Sequence, residues 1–355
     1  MNNAILAINP GSTSTKIALY KKTELAWSES IEHDRETLSK YANIYDQFEM
    51  RLKLVRAALR SHGTSPDELM ATVGRGGLLP PVKAGAYYVN QELIDTLRYR
   101  PVNEHASNLG AALADAIAKP LSIPAFIYDP VTVDEMEPIA KITGLKEMKR
   151  IGQGHNLNMR AAAIKYAESV EKKYKDLNIL VAHLGGGITL SLHSRGQIID
   201  MISDDEGPFS PERAGGLPGF QLIKMAASGD YDYKSMMKKV QRQGGLMAYF
   251  NTSDLREVFD LADKGDEQAK LVSEAMAHNV AKNIGKLSVV TCGEIDAIVL
   301  TGGIAYSERF TGWIEKRVEF IAPVVVIPGE NEMEALAMGV LRVMRGEEQA
   351  REFNA

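Results

Sequence analysis

The feature that most constrains this chain is a pattern that occurs twice. Residues 4–20, AILAINPGSTSTKIALY, open with an apolar run, turn at Asn9, Pro10 and Gly11, pass Ser12, Thr13, Ser14, Thr15 and Lys16, and enter a second apolar run. That reads as strand, turn, strand, and residues 24–31 alternate well enough for a third strand. Residues 179–183 (ILVAH) begin the pattern again, with glycines at 185–187, a strand at 188–193, a turn at Arg195 and Gly196, and a strand at 198–202. Asn9 and His183 hold the same place at the end of the first strand of each copy. The spacing far exceeds the roughly 20–50-residue period of solenoids, so it predicts two similar β-β-β-α domains. A length of 355 residues agrees, because single cores stop growing at about 250–300 residues.

The first turn combines small residues, which let a backbone approach a ligand, with hydroxyls and one cation. Such a turn can meet phosphate oxygens or the waters of a magnesium ion. It also suits a plain polar hairpin loop. The second copy supplies a counterpart: two such units facing one another would form a cleft, with one turn from each on either side of a nucleotide.

Other strand ends carry reactive groups. Residues 70–73 run into GRGGLLPP, which sets Arg75 among glycines with nothing bulky to shield it. That arginine can serve a ligand or simply sit in a surface turn. A strand over 125–128 delivers Asp129 at its C-terminal end, where ligands gather on open α/β sheets. Residues 207–219, GPFSPERAGGLPG, form a rigid loop around Glu212 and Arg213, suited to an anion clamp or to an exposed ion pair. The strand over 296–300 ends in Thr301, Gly302 and Gly303, bare backbone on which a ring or ribose can lie. Periodicity predicts helices over 41–62, 103–119, 221–227, 233–243, 254–262, 267–287 and 332–345, with another starting near Ser307 and a last strand at 324–327.

Composition narrows the class. The chain is 45% hydrophobic and 25% charged, as globular domains are, and its net charge of -5 offers nothing to nucleic acid or an anionic membrane. No apolar run approaches the roughly 20 residues of a membrane span, and no basic segment precedes a hydrophobic block at the start; a cytoplasmic protein is expected. The one cysteine, Cys292, reads as a buried small hydrophobe, not a nucleophile. No histidine and cysteine spacing suits zinc. His33, His62, His193 and His278 read as surface or packing residues.

Taken together, the blocks at 9–16, 183–187, 212–216 and 301–304 resemble those of the short-chain carboxylate kinases, the acetate and butyrate kinase family, and most closely its butyrate kinase branch. The N-x-G-S-[ST]-[ST]-x-K signature runs from Asn9 to Lys16, and the other blocks follow in the family's order across nearly the whole chain. The resemblance implies an α/β fold of two duplicated actin-like domains, of the sugar kinase and heat-shock type, around a nucleotide cleft. Residues 1–150 with 333–355 would form the first domain and residues 151–332 the second. It implies ATP/ADP and Mg2+ as bound species. Asn9, Gly11, Ser12, Ser14, Thr15 and Lys16 would line the magnesium and phosphate site, with His183, Gly185, Gly186 and Gly187 on the other side and Gly302, Gly303 and Ile304 beside adenosine. Arg75 and Arg213 would hold the carboxylate and the phosphoryl group in transit, with His105 near the substrate and Asp129 as the active-site aspartate. Asn9, Ser12 and one of Glu332 and Glu334 would stand near the metal.

The departures point the same way. Acetate kinases place two histidines around the segment matching 152–158; here His155 stands alone as the transition-state candidate. Gly186 stands where they carry asparagine, which passes one phosphate contact to backbone. Leu78 and Leu79 replace a histidine-containing stretch beside Arg75, which favours an acyl chain longer than two carbons. A homodimer or larger homo-oligomer is expected by analogy. Readings from other classes remain. A chaperone ATPase would need a peptide-binding domain after the last helix. A sugar kinase would need an aspartate base, which Asp129 could supply. A non-catalytic sensor would bind nucleotide alone.

Overall fold

The computed structural model describes residues 3–354. It divides into two compact units, Met1–Asp134 with Asn331–Ala355, and Glu135–Glu330. In the first, β1 (Ala4–Pro10), β2 (Ser14–Lys21) and β3 (Glu24–Glu32) form an antiparallel meander, with Asn9 opposite Lys16 and Pro10 opposite Thr15. The short helix α1 (Arg35–Ser39) starts at Asp34, whose Oδ1 accepts from the Thr37 amide. The helix expected over 41–62 begins later: residues 44–47 make a 3-10 turn capped at Asn43, and α2 (Phe48–Ser61) follows.

Strand β4 (Leu69–Arg75) then returns parallel to β1. β5 (Ala86–Tyr88) and α3 (Gln91–Tyr99) have no counterpart in the sequence reading; three residues are too few to show a period. α4 (Gly110–Ala118) is preceded by a 3-10 turn, and β6 (Ala125–Tyr128) completes a sheet of order β3-β2-β1-β4-β6-β5. Every residue of β1 is buried, as its unbroken apolar run requires of a central strand. Leu6 and Ile8 pack with Leu52 and Val55 of α2 and with Leu109 and Leu113. Gly74 and Gly110 let β4 and α4 touch backbone to backbone: a Cβ on Gly74 would run into the Gly110 carbonyl.

The second unit contains α5 (Asn156–Ser169), β7 (Ile179–Leu184), β8 (Ile188–Ser194) and β9 (Gln197–Ile202). There follow α6 (Gly219–Ala226), α7 (Tyr233–Arg242), α8 (Leu246–Phe250), α9 (Leu255–Asp263) and α10 (Glu267–Ser288). It closes with β10 (Ala297–Gly302), α11 (Glu308–Val318) and β11 (Val324–Pro328). Its sheet, β9-β8-β7-β10-β11, repeats the order and the parallel and antiparallel pairings of β3-β2-β1-β4-β6. The core here is larger, with Met276, Val280 and Ile284 of α10 and Phe310 and Ile314 of α11 packed on β7, β8 and β10.

Helix α12 (Glu332–Met344) belongs to the first unit, where it packs on β1, β2, β4 and β6. Residues 135–150, ahead of the division expected near 150, are tied to the second unit. Glu135 accepts from the Ile198 amide, the Glu137 amide donates to the Ile199 carbonyl, and Arg150 pairs with Asp200 and Glu206. Cys292 corrects the sequence reading. It is exposed, in a left-handed turn (φ 55°) after a 3-10 turn at Val289–Thr291, a surface position that hydrophobicity alone does not reveal. Among the described residues no helix is long and apolar enough to cross a membrane.

Candidate functional site

Both units gather polar residues at the C-terminal ends of their central strands. In the first, adjacent β1, β4 and β6 deliver Asn9, Arg75 and Asp129, since Ile8 is level with Gly74 and Arg75 with Tyr128. Asn9 is only 9% exposed, and its Nδ2 donates to Glu332 Oε2 at 2.6 Å. Glu332 Oε1 lies 3.1 Å from Arg75 Nη1. The pair is close in distance but poorly aligned, so the buried Nη1 makes no hydrogen bond there. An anion could take that donor.

Of the two glutamates, Glu332 is therefore the one held among strand-end groups. Glu334 acts on Tyr20, whose phenol is pushed up to about 12 by burial first and by the Glu334 charge second. Asp129 is buried, with an unusual φ of 40°, and its Oδ1 accepts from the Gly85 amide at 2.6 Å. Aspartate tolerates that region better than most residues, and the Gly85 contact fixes it there. His105 caps a 3-10 turn through Ser107. Its edge is open, yet crowding by the protein and then the Arg75 charge hold its imidazole below the usual pKa. Leu78 keeps a small exposed fraction, whereas Leu79 belongs to the core with Leu93, Leu97 and Phe353.

The loop between β1 and β2 leaves Ser12, Thr13 and Lys16 exposed. Thr15 does not join them. Strand alternation turns it inward, where its hydroxyl meets His33 Nε2 at 2.8 Å and Arg51 Nη1 at 2.9 Å. The loop closes with a 2.8 Å bond from the Gly11 amide to the Ser14 carbonyl, which Arg51 also meets. Arg51 was not among the candidates read from sequence.

In the second unit His183 and Thr301 are level on β7 and β10. His183 is buried, its Nδ1 accepting from Asn158 Nδ2 at 2.9 Å, which places its proton on Nε2, 3.1 Å from Glu330 Oε1. His155, at the N-terminus of α5, stacks on it with centroids 3.9 Å apart, and its Nδ1 meets Thr189 Oγ1 at 3.0 Å. The 207–216 loop folds onto the glycine turn. Ser210 Oγ donates to the Gly186 carbonyl at 2.6 Å, and the Glu212 amide donates to the same oxygen. A Cβ on Gly187 would lie 2.8 Å from Arg213 Nη1, so only glycine lets that guanidinium lie across the turn. Arg213 pairs with Asp204, not with its neighbour Glu212. Asp204, Glu330, Thr189 and Asn158 were also missed, because each acts through a contact distant in sequence.

The groups fit the species expected of them. Asn9, with its amide nitrogen committed to Glu332, keeps Oδ1 for a cation, and with the Ser12 hydroxyl and Glu332 it offers the hard oxygen donors magnesium takes. Gly302, at φ 92°, exchanges backbone hydrogen bonds with Gly329, while a Cβ on Gly303 would meet nothing within 4 Å. Gly303 thus presents open backbone of the kind a nucleoside can lie against, whereas Ile304 packs on the core and its carbonyl accepts from the Ser307 amide.

Two α/β units with the same strand order, each with polar groups at its central strand ends, define a duplicated actin-like fold. The solved structures of Porphyromonas gingivalis acetate kinase (17% identity, TM-score 0.77, covering 96% of this chain and 100% of that one) and Entamoeba histolytica acetate kinase (14%, TM-score 0.76, 95% and 98%) share this fold. So does a propionate kinase from Francisella tularensis (16%, TM-score 0.71, 94% and 98%). Residues 147–312, which include His155, His183, Gly185 to Gly187, Arg213 and Gly302 to Ile304, match the model of the Acetokinase family.

Proposed function

We propose that the chain is an ATP-dependent carboxylate kinase that moves phosphate reversibly between ATP and a short-chain acid. Butyrate, or a branched analogue such as isobutyrate, is the preferred acceptor. The observation that carries this reading is Arg75, buried beside Glu332 and Asn9 with a guanidinium nitrogen still to be satisfied. A carboxylate acceptor is already ionised at pH 7 and needs no general base. Its difficulty is charge: two unit charges 4 Å apart repel by about 4 kcal/mol at an effective dielectric of 20. Cations and fixed donors, more than proton acceptors, are what such a site must hold.

In this reading Arg75 binds the acid. Arg213, laid over Gly187 and oriented by Asp204, neutralises the phosphoryl group as it leaves ATP, and His155, stacked on His183, donates to it through a ring N–H. Asn9, Ser12 and Glu332 hold magnesium, which supplies positive charge to the phosphates. Asp129, tied to the Gly85 amide, orders the polar shell and does not act as a base. Leu78, three residues after Arg75 and 9% exposed, is the apolar side chain that this reading sets beside an acyl chain longer than acetate's.

The acid series tests both levels. With ATP, magnesium and hydroxylamine, hydroxamate formation from acetate, propionate, butyrate, isobutyrate and valerate should give a kcat/KM that peaks at four carbons. A peak at acetate or propionate, the acids named for the proteins that share this fold, retains the kinase and discards the chain length. Phosphorylation of glucose with no hydroxamate from any acid discards both.

A further inference from the structure

The loop proposed to hold phosphate is built over a buried cation. Arg51 is fully shielded (0% exposed), and among the described residues no carboxylate pairs with it. Its Nη1 reaches the Ser14 carbonyl at 2.8 Å and Thr15 Oγ1 at 2.9 Å; its Nε and Nη2 reach Gln47 Oε1 at 3.1 and 2.8 Å. Every acceptor is neutral. An interior guanidinium without a counterion is among the most expensive placements a fold can make. Burial lowers the Arg51 pKa to about 10, which leaves it charged at neutral pH. Its field is felt nearby: after burial itself, Arg51 is the next influence holding the His33 imidazole below its usual pKa, against the opposite pull of Glu32 and Asp34.

Loop geometry alone does not require this charge, because the Ser14 carbonyl already accepts from the Gly11 amide and Thr15 already meets His33. What the arginine adds is a fixed positive charge at Ser14 and Thr15, at the end of the loop that carries Ser12 and Thr13. We propose that Arg51 is a positioning residue for the nucleotide's phosphates, its charge left uncompensated by the protein so that an anion bound on the 11–15 loop completes the pair. The inference rests on the proposed reading of that loop as a phosphate site.

The substitution Gln47→Glu isolates the charge. It is nearly isosteric and gives Arg51 the carboxylate it lacks, so thermal stability should rise while affinity for anions on the loop falls. Calorimetric titration with inorganic pyrophosphate, and separately with MgATP, should show binding weakened by about tenfold, the effect of cancelling one nearby unit charge. Arg51→Lys, which keeps the charge, should stay within about threefold of the wild type, whereas Arg51→Gln should lose about tenfold with its circular dichroism unchanged. Gln47→Glu that is stabilised yet binds both probes as the wild type does would overturn the proposal and leave Arg51 a structural residue. Equal losses in Arg51→Lys and Arg51→Gln would overturn it too, because shape and not charge would then matter. A wild-type protein that binds neither probe removes the loop's proposed role, and this inference with it.

Discussion

Arg213 shows most plainly what a single residue contributes. Asp204 holds it and Gly187 makes room for it, so the guanidinium reaches the glycine turn in a fixed pose, where burial lowers its pKa. Arg213→Ala should lower kcat at least about a hundredfold, the loss expected when a fixed transition-state charge contact is removed. Steady-state rates with ATP and butyrate, with circular dichroism to show an intact fold, check this; near-normal turnover takes Arg213 out of the reaction. The placement of Asn9, Arg75, Asp129 and Arg213 at strand or loop ends was legible in the sequence because each sits among small or rigid residues, a local signal. Arg51, Glu330, Asp204 and Thr189 were not. Thr15 meets Arg51 across 36 positions and His155 meets Thr189 across 34, separations that no motif spans.

At the scale of elements, the central strands were readable because strands covered on both faces become unbroken apolar runs. The helices were readable in their middles and misread at their starts, where residues 44–47 and 106–109 tighten into 3-10 turns that keep a helical spacing of apolar residues. Strand β8 hides a further consequence. His193 on it is fully buried, its Nδ1 beside the Tyr174 hydroxyl and its Nε2 beside Ser191 Oγ, and burial, helped by the Arg160 charge, depresses its pKa to about 3. In the unfolded chain the same imidazole takes up a proton near pH 6.5. Between about pH 6.5 and 3 the unfolded state therefore binds one more proton than the folded state, and stability falls as pH falls, by about 1.4 kcal/mol per unit from this group. Urea denaturation of the wild type and of His193→Gln from pH 7 to 4 should show a shallower decline in the variant. Parallel declines would mean that His193 protonates without cost in the fold.

At the scale of the molecule, the duplication was legible because two sheets of the same order impose the same succession of strand, turn and strand on distant parts of the chain. The placement of residues 135–150 was not, since it depends on Glu135, Glu137 and Arg150 finding partners on and near β9. The second unit is continuous and has a core of its own, so a fragment of residues 135–330 should fold cooperatively. A fragment ending at residue 330 should fold only its second unit, because the first then lacks α12, whose Leu336, Ala337 and Val340 are buried. Thermal melts and amide exchange on the two fragments check this, and native-like protection of β1 without α12 would contradict it.

That discontinuity also sets an order of assembly during synthesis. Chains emerge from the ribosome N-terminus first, at about 5–20 residues per second. Strands β1 to β6 thus leave it long before the helix that must cover them, while the second unit can close as soon as β11 is out. Glu332, which accepts from Asn9 and lies beside Arg75, follows the whole of the second unit in the chain. A nascent chain that has not reached residue 332 therefore presents the hydroxyl loop without its carboxylate partner, and the strand-end group of the first unit comes into being only after the second unit has been made.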